Sequence, residues 1–110
     1  MTVKELTEAA GFRLINEGND PDRTVSRLFC CDLLSIAMGR APAGCCWVTV
    51  MANMNTLAVA SLTDAAVVVL AEGAAFDEAA KAKAAEQGIF VLATDLPVFD
   101  AALLVHGLIS

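Results

Sequence analysis

Four cysteines, one histidine and a scatter of loop acids are the residues whose types could do chemistry. The cysteines come as two vicinal pairs, Cys30-Cys31 and Cys45-Cys46. Zinc and iron–sulfur sites use thiolates separated by two or more residues, so that both face one ion. Neighbours on a strand point to opposite faces instead. One cysteine of each pair is therefore expected to be buried and the other to face a helix, the rim of a sheet or a partner. Free cysteine is commonly buried, so packing is the plain account of all four. A metal or redox role for Cys30, Cys31, Cys45 and Cys46 is the alternative, open if the two strands pair and bring one thiol of each together. His106 is the sole histidine, in the last turn of the final predicted helix, where a positive charge is favoured. No GxxxxGK(S/T) or GxGxxG loop is present, so nucleotide hydrolysis has no visible machinery.

A second set of candidates depends on where the loops fall. In an open parallel sheet, ligands bind beyond the carboxyl ends of the strands. Three loops meet that condition: Met51 to Asn55, Ala71 to Ala74, and Thr94 to Pro97. They make Thr49, Asn53, Asn55, Glu72, Thr94 and Asp95 candidates to line one rim. The Asn53 and Asn55 amides can donate and accept, beside a helix amino terminus that offers N–H groups to an anion. Asn53 also reads simply as a helix N-cap. Glu72 and Asp95 together disfavour a bare phosphate unless Arg23, Arg27 or a metal helps. A small enzyme working through these two carboxylates is a further reading, but acids without a base partner are ordinary loop chemistry.

The elements that must position these residues follow from pattern and punctuation. Thr2 and Glu5 form a capping-box pattern for a helix from Val3 to Ala10, ended by Gly11. Phe12 to Ile15 reads as a strand, Glu17 to Pro21 as a turn, and Thr24 to Cys31 as a second extended segment. Asp32 is expected to cap a short helix, Leu33 to Met38, with Gly39 as its stop. Cys45 to Met51 is β-rich. Asn53 to Thr63 fits a helix with Leu57, Ala58, Ser61 and Leu62 on one face. Ala66 to Leu70 and Ile89 to Ala93 are continuous apolar runs, as in strands buried on both faces. Asp77 caps a helix through Glu86, with Gly88 as its stop. Thr94 or Asp95 caps the last helix, with Pro97 in its first turn. This alternation predicts one α/β domain over residues 1–110, a three-layer α/β/α arrangement with a mostly parallel sheet of about five strands.

Composition sets the outer bounds. Hydrophobic residues make up 57% of the 110, enough for a packed core. The formal net charge is −6, with no Lys/Arg cluster to offset it, so neither nucleic acid nor an anionic membrane surface is an expected partner. Asp64, Glu72 and Asp77 interrupt the apolar middle before it reaches the ~18 residues of a membrane helix. The charged amino terminus lacks the apolar core of a signal peptide. A soluble, cytoplasmic protein with reduced cysteines is expected.

The order of several short stretches resembles a known family. Asp22-Arg23-Thr24 is followed by an apolar strand, Asp32-Leu33-Leu34 and Met38. Trp47-Val48-Thr49, Asn55 to Leu62, Gly88-Ile89 and Leu92-Ala93-Thr94 follow in turn. Together these resemble the DRTGG domain over nearly the whole chain. The two glycines of the family motif are Val25 and Ser26 here, and valine does not readily adopt positive φ. The turn of the motif is then expected to have become strand. The family is similar to the amino-terminal domain of HPr kinase/phosphorylase, and also occurs beside CBS domains in regulatory pyrophosphatases. The resemblance implies an α/β fold, a homodimer, and a non-catalytic regulatory or ligand-sensing role, with Arg23 and Thr24 joining the candidate ligand residues. For stand-alone members it implies an accessory role in a redox (hydrogenase-type) or carbon-metabolism operon, with an operon protein or small molecule as partner. The kinase activity does not transfer, since the phosphate-binding loop of that enzyme belongs to a separate carboxy-terminal domain. No cofactor is expected.

Overall fold

Three apolar runs make the middle of a sheet, and the alternation within them divides the core into two layers. The computed structural model describes residues 1–109. In chain order the elements are α1 (Val3–Ala10), β1 (Arg13–Asn16), β2 (Leu28–Cys30), α2 (Leu34–Arg40), β3 (Cys46–Thr49), α3 (Met54–Leu62), β4 (Val67–Leu70), α4 (Glu78–Gln87), β5 (Phe90–Ala93) and α5 (Val98–Ile109). The strand order is β1-β5-β4-β3-β2. Strands β2 to β5 are parallel, and β1 lies antiparallel against β5. The α/β class, the three layers and the five strands agree with the pattern in the sequence.

Every residue of β3, β4 and β5 is buried. Cys46, Val48, Val67, Val69, Phe90 and Leu92 point into the layer closed by α1 and α5. Cys45, Trp47, Val68, Leu70, Val91 and Ala93 point into the layer closed by α2, α3 and α4. The parallel strands are met in chain order, so the three crossover helices share one face. Among the described residues no helix is long and apolar enough to cross a membrane.

Several local expectations are corrected. The stretch Thr24 to Cys31 is not one strand: β2 covers Leu28–Cys30, and Thr24 makes an isolated bridge to Thr2. Helix α2 runs through Gly39 to Arg40 and stops before Pro42, which disfavours helical backbone at Ala41 (φ −63°, ψ 120°). Asp32 does not cap it, because that carboxylate is bonded to the end of β3. In α3 the buried residues are Thr56, Leu57, Val59 and Ala60, while Leu62 is 73% exposed. The α3 sequence is apolar on all sides, so its periodicity did not single out a buried face.

The 11 residues between β1 and β2, Glu17 to Arg27, cross the sheet from one edge to the other at the amino ends of the parallel strands. The N–H of Asn19 donates to Gly88 O, and that of Ser26 to Gly44 O. The first N–H groups of α1 donate to this crossing, Val3 to Arg23 O and Lys4 to Pro21 O, both at 2.9 Å. Helix donors with no partner inside the helix are thereby satisfied. Val25 is buried in the α1/α5 layer and Ser26 Oγ donates to Ala43 O. Val25 and Ser26 therefore anchor the crossing rather than extend β2.

Candidate functional site

The carboxyl ends of β2 to β5, together with the start of antiparallel β1, form one rim. Thr49, Asn53, Asn55, Glu72, Thr94 and Asp95 all lie in or beside its loops. Thr49 is buried; its hydroxyl donates to Asp32 Oδ1 at 2.7 Å and accepts from Met51 N at 3.2 Å. The Val50 N–H donates to the same Asp32 oxygen at 2.9 Å. Asp32 is thus a rim residue, brought there because β2 runs parallel to β3. An acid just before a helix reads as a cap in sequence, which hid this role. Asn53 does cap α3, accepting from Thr56 N at 3.2 Å, and Asn55 is exposed in the first turn.

Between β4 and β5 the following helices go to opposite faces of the sheet, α4 to one and α5 to the other. Such a divergence normally opens a ligand crevice. Here two loops bridge it. Glu72 N donates to Leu96 O at 2.8 Å and Gly73 N to Thr94 O at 3.1 Å. Glu72 and Gly73 both have positive φ, +62° and +66°. A Cβ at Gly73 would lie 3.2 Å from Asp95 Oδ1, so glycine suits both backbone and space. Glu72 has no such freedom; the left-handed backbone costs a non-glycine residue about 1–2 kcal/mol. Its Oε2 accepts from Val98 N, the first residue of α5, at 3.1 Å. The expected cap from Thr94 or Asp95 is therefore replaced by a carboxylate from the neighbouring loop. Thr94 Oγ1 instead accepts from Leu96 N within its own loop. The α5 amino terminus already holds an anion of the protein's own.

Beside this bridge a cleft of about 370 Å³ lies between Gly11-Phe12-Arg13 and the Thr94 to Pro97 loop. Arg13 Nη2 is 3.5 Å from Asp95 Oδ1, with both side chains mostly in water. Such an exposed pair is held weakly and can be exchanged for a ligand group. Arg13 was not a candidate in the sequence, because only the antiparallel direction of β1 carries it to the rim.

Arg23 and Thr24 are not brought to this rim. They lie in the crossing at the opposite end of the sheet, and Arg27, which immediately precedes β2, lies at that end too. The Arg23 guanidinium is paired with Asp64, which holds its proton more tightly, while the same contact lowers the Asp64 carboxyl below its ordinary range.

The four thiols do not converge on one point. Cys45 and Cys46 are both fully buried and point into opposite core layers, each closed by helices, as neighbours on a strand are expected to do. Burial pushes the Cys45 thiol up to about 11 and the Cys46 thiol higher still. Cys30 is exposed at the end of β2; partial burial, then the nearby Asp32 charge, raises its thiol too. Cys31 Sγ donates to Leu33 O, and its carbonyl accepts from Trp47 Nε1 at 2.9 Å. Strands β2 and β3 do pair, with Leu28 opposite Cys46 and Cys30 opposite Val48. Among the described residues no group of three or more His, Cys, Asp or Glu side chains is placed to hold a metal ion.

No protein-family model and no curated protein matches this sequence. Among solved structures, the fold is similar to the CBS and DRTGG domains of the regulatory region of Clostridium perfringens pyrophosphatase, complexed with its activator, diadenosine tetraphosphate. The TM-score is 0.73 at 11% sequence identity, over 94% of this chain and 45% of that one. This chain therefore spans less than half of that structure, and the likeness is one of fold: the chain shares its architecture with part of a regulatory region.

Proposed function

We propose that this chain is a non-catalytic, DRTGG-like regulatory module that senses a small molecule at the rim and works as a homodimer, akin to the amino-terminal domain of HPr kinase/phosphorylase. The observation that carries the reading is the likeness of fold to a regulatory region complexed with a nucleotide activator. The cleft between Arg13 and Asp95 is the place for the ligand, since the neighbouring α5 amino terminus is already occupied by Glu72. Thr94, Asn53 and Asn55 supply further polar contacts on the same rim. Two of the rim acids speak against catalysis, because each has a structural partner: Asp32 with Thr49 and Glu72 with Val98.

Isothermal titration calorimetry of the intact chain with ATP and with diadenosine tetraphosphate tests this. Binding is expected, with Arg13→Ala weakening it by about tenfold, or 1.4 kcal/mol. Arg23→Ala is expected to leave the affinity unchanged, since its side chain lies at the other end of the sheet. Absence of heat with either nucleotide at millimolar concentration would remove the nucleotide reading. A loss of affinity in Arg23→Ala alone would move the site to the crossing.

A further inference from the structure

The two edges of the sheet are built differently. Edge strand β1 carries Arg13 and Asn16, is followed by Glu17, and has an irregularity between Leu14 and Asn16. Charge and a bulge are the usual devices that stop an edge from pairing with another chain. Edge strand β2, Leu-Phe-Cys, has no charge within it and no irregularity. Cys46 N donates to Arg27 O while Cys46 stands opposite Leu28. In a parallel ladder this turns the backbone groups of Arg27 and Phe29 toward β3 and those of Leu28 and Cys30 outward. The outward donors and acceptors face away from the sheet.

Exposed apolar side chains flank this edge on the α2 face. On one face α2 is the outermost helix; it buries only Ala37 and leaves Ile36 and Met38 about half exposed, beside Leu33. On the other face His106 shares a cleft with Leu28 near the start of β2. Phe99 precedes His106 by seven residues on the same stripe of α5, next to Val98, which is bonded to Glu72. Phe99 is 70% exposed.

We propose that β2 is a self-pairing edge: a second copy of this chain adds its own β2 antiparallel, across a twofold axis at Phe29, so that two five-stranded sheets run on as one. Leu28 of one copy then faces Cys30 of the other. Both present outward groups, which suits the hydrogen-bonded pairs of an antiparallel ladder. Charge favours the same orientation. Arg27 precedes the strand and Asp32 follows it, and the Arg27 guanidinium has no ion-pair partner among the described residues. An antiparallel pair sets the basic end of each copy beside the acidic end of the other. A twofold interface must be self-complementary in this way. The three-residue ladder is short against the roughly 800 Å² per partner of a stable interface, so Leu33, Ile36 and Met38 beside it must supply most of the area. The inference rests on the homodimer part of the reading above and not on its ligand.

Sedimentation at micromolar concentration, with residue-resolved amide exchange on the same sample, tests it. The expected result is a dimer in which the Leu28 and Cys30 amides are protected, with protection lost on dilution. Cys30→Pro removes an outward N–H and no ladder bond to β3, so it is expected to give a folded monomer with Trp47 still buried. If that variant does not fold, amide protection in the unaltered chain decides alone. A monomer throughout, or a dimer whose Leu28 and Cys30 amides exchange freely, overturns the proposal. None of these outcomes depends on nucleotide binding, which the calorimetry reads separately.

Discussion

The Arg23 guanidinium donates to both carboxylate oxygens of Asp64, each at 2.8 Å, and to the Asp64 carbonyl at 3.0 Å. Asp64 sits just past the end of α3 with φ +62°. Its N–H donates to Ser61 O and that of Ala65 to Ala60 O, the paired bonds of a helix end that normally takes glycine. An aspartate is kept there, and its carboxylate pins the crossing segment to the floor of the sheet. Arg23 thus has a structural partner that the linear sequence places 41 residues away.

This arrangement separates two variants at one position. Asp64→Ala keeps the left-handed backbone and loses the ion pair, and is expected to cost at most about 1 kcal/mol. Asp64→Gly loses the same pair but relaxes the backbone, and is expected to be close to neutral. Arg23→Ala removes the partly exposed pair and the bond to the Asp64 carbonyl, and is expected to cost about 1 kcal/mol. Urea midpoints check the order; equal losses for Ala and Gly would show that the backbone stores no strain.

Acid should reveal two carboxylates. Hydrogen bonds from Thr2 hold Glu5 below its ordinary 4.5, and Arg23 holds Asp64 below its ordinary 3.8. A group lowered by folding adds stability above its unfolded value and loses it as pH falls through the folded one. Stability is therefore expected to fall as pH drops from about 4.5 downward. The double variant Glu5→Gln with Asp64→Asn should be less stable at neutral pH and lose less on acidification. An unchanged acid slope, followed by circular dichroism, would assign the loss to other groups.

Glu72 joins the rim to α5, and its variants should separate cap from strain. Glu72→Ala loses the bond from Val98 and keeps the positive φ, for an expected cost of about 1 kcal/mol. Glu72→Gly loses the cap but relieves the backbone, so it should be the more stable of the two. In both, the Val98 amide should exchange faster than in the unaltered chain. A Val98 amide that exchanges no faster would mean that the cap contributes nothing in solution.

Thiol labelling should split the cysteines two and two. At pH 8, iodoacetamide is expected to modify Cys30 and Cys31 slowly, and Cys45 and Cys46 only after unfolding, since their raised thiols are buried. Mass mapping after a native-state pulse reads this directly. Cys46→Ser should cost about 1–3 kcal/mol by placing a hydroxyl among Val48, Val67 and Leu92. Rapid native labelling of Cys46 would mean that the α1/α5 layer opens readily.

How much could be read in advance depended on the range of the force involved. The runs Ala66 to Leu70 and Ile89 to Ala93 announced β4 and β5, because a strand covered on both faces must be apolar throughout. Thr2, Asn53 and Asp77 announced three helix starts, and Gly11 and Gly88 two ends, because a cap acts over three or four residues. α3 misled as to its face, because a helix apolar on every side carries no periodic signal: Leu57 is fully buried and Leu62 is not.

The rim shows the same boundary. That Thr49, Asn53, Asn55, Glu72, Thr94 and Asp95 follow strands is a local fact, and the alternation of strand and helix was enough to place them at one end of a sheet. Which of them meet is not local. Asp32 reaches Thr49 only because β2 lies beside β3; Glu72 reaches Val98 only because α4 and α5 leave the sheet on opposite faces. Arg13 reaches Asp95 only because β1 runs backward. Periodicity and capping are written residue by residue along the chain, so the sequence alone determined the elements and the fold class. Strand order and direction arise from burying two apolar layers at once, so only the tertiary structure decided which polar groups share a site.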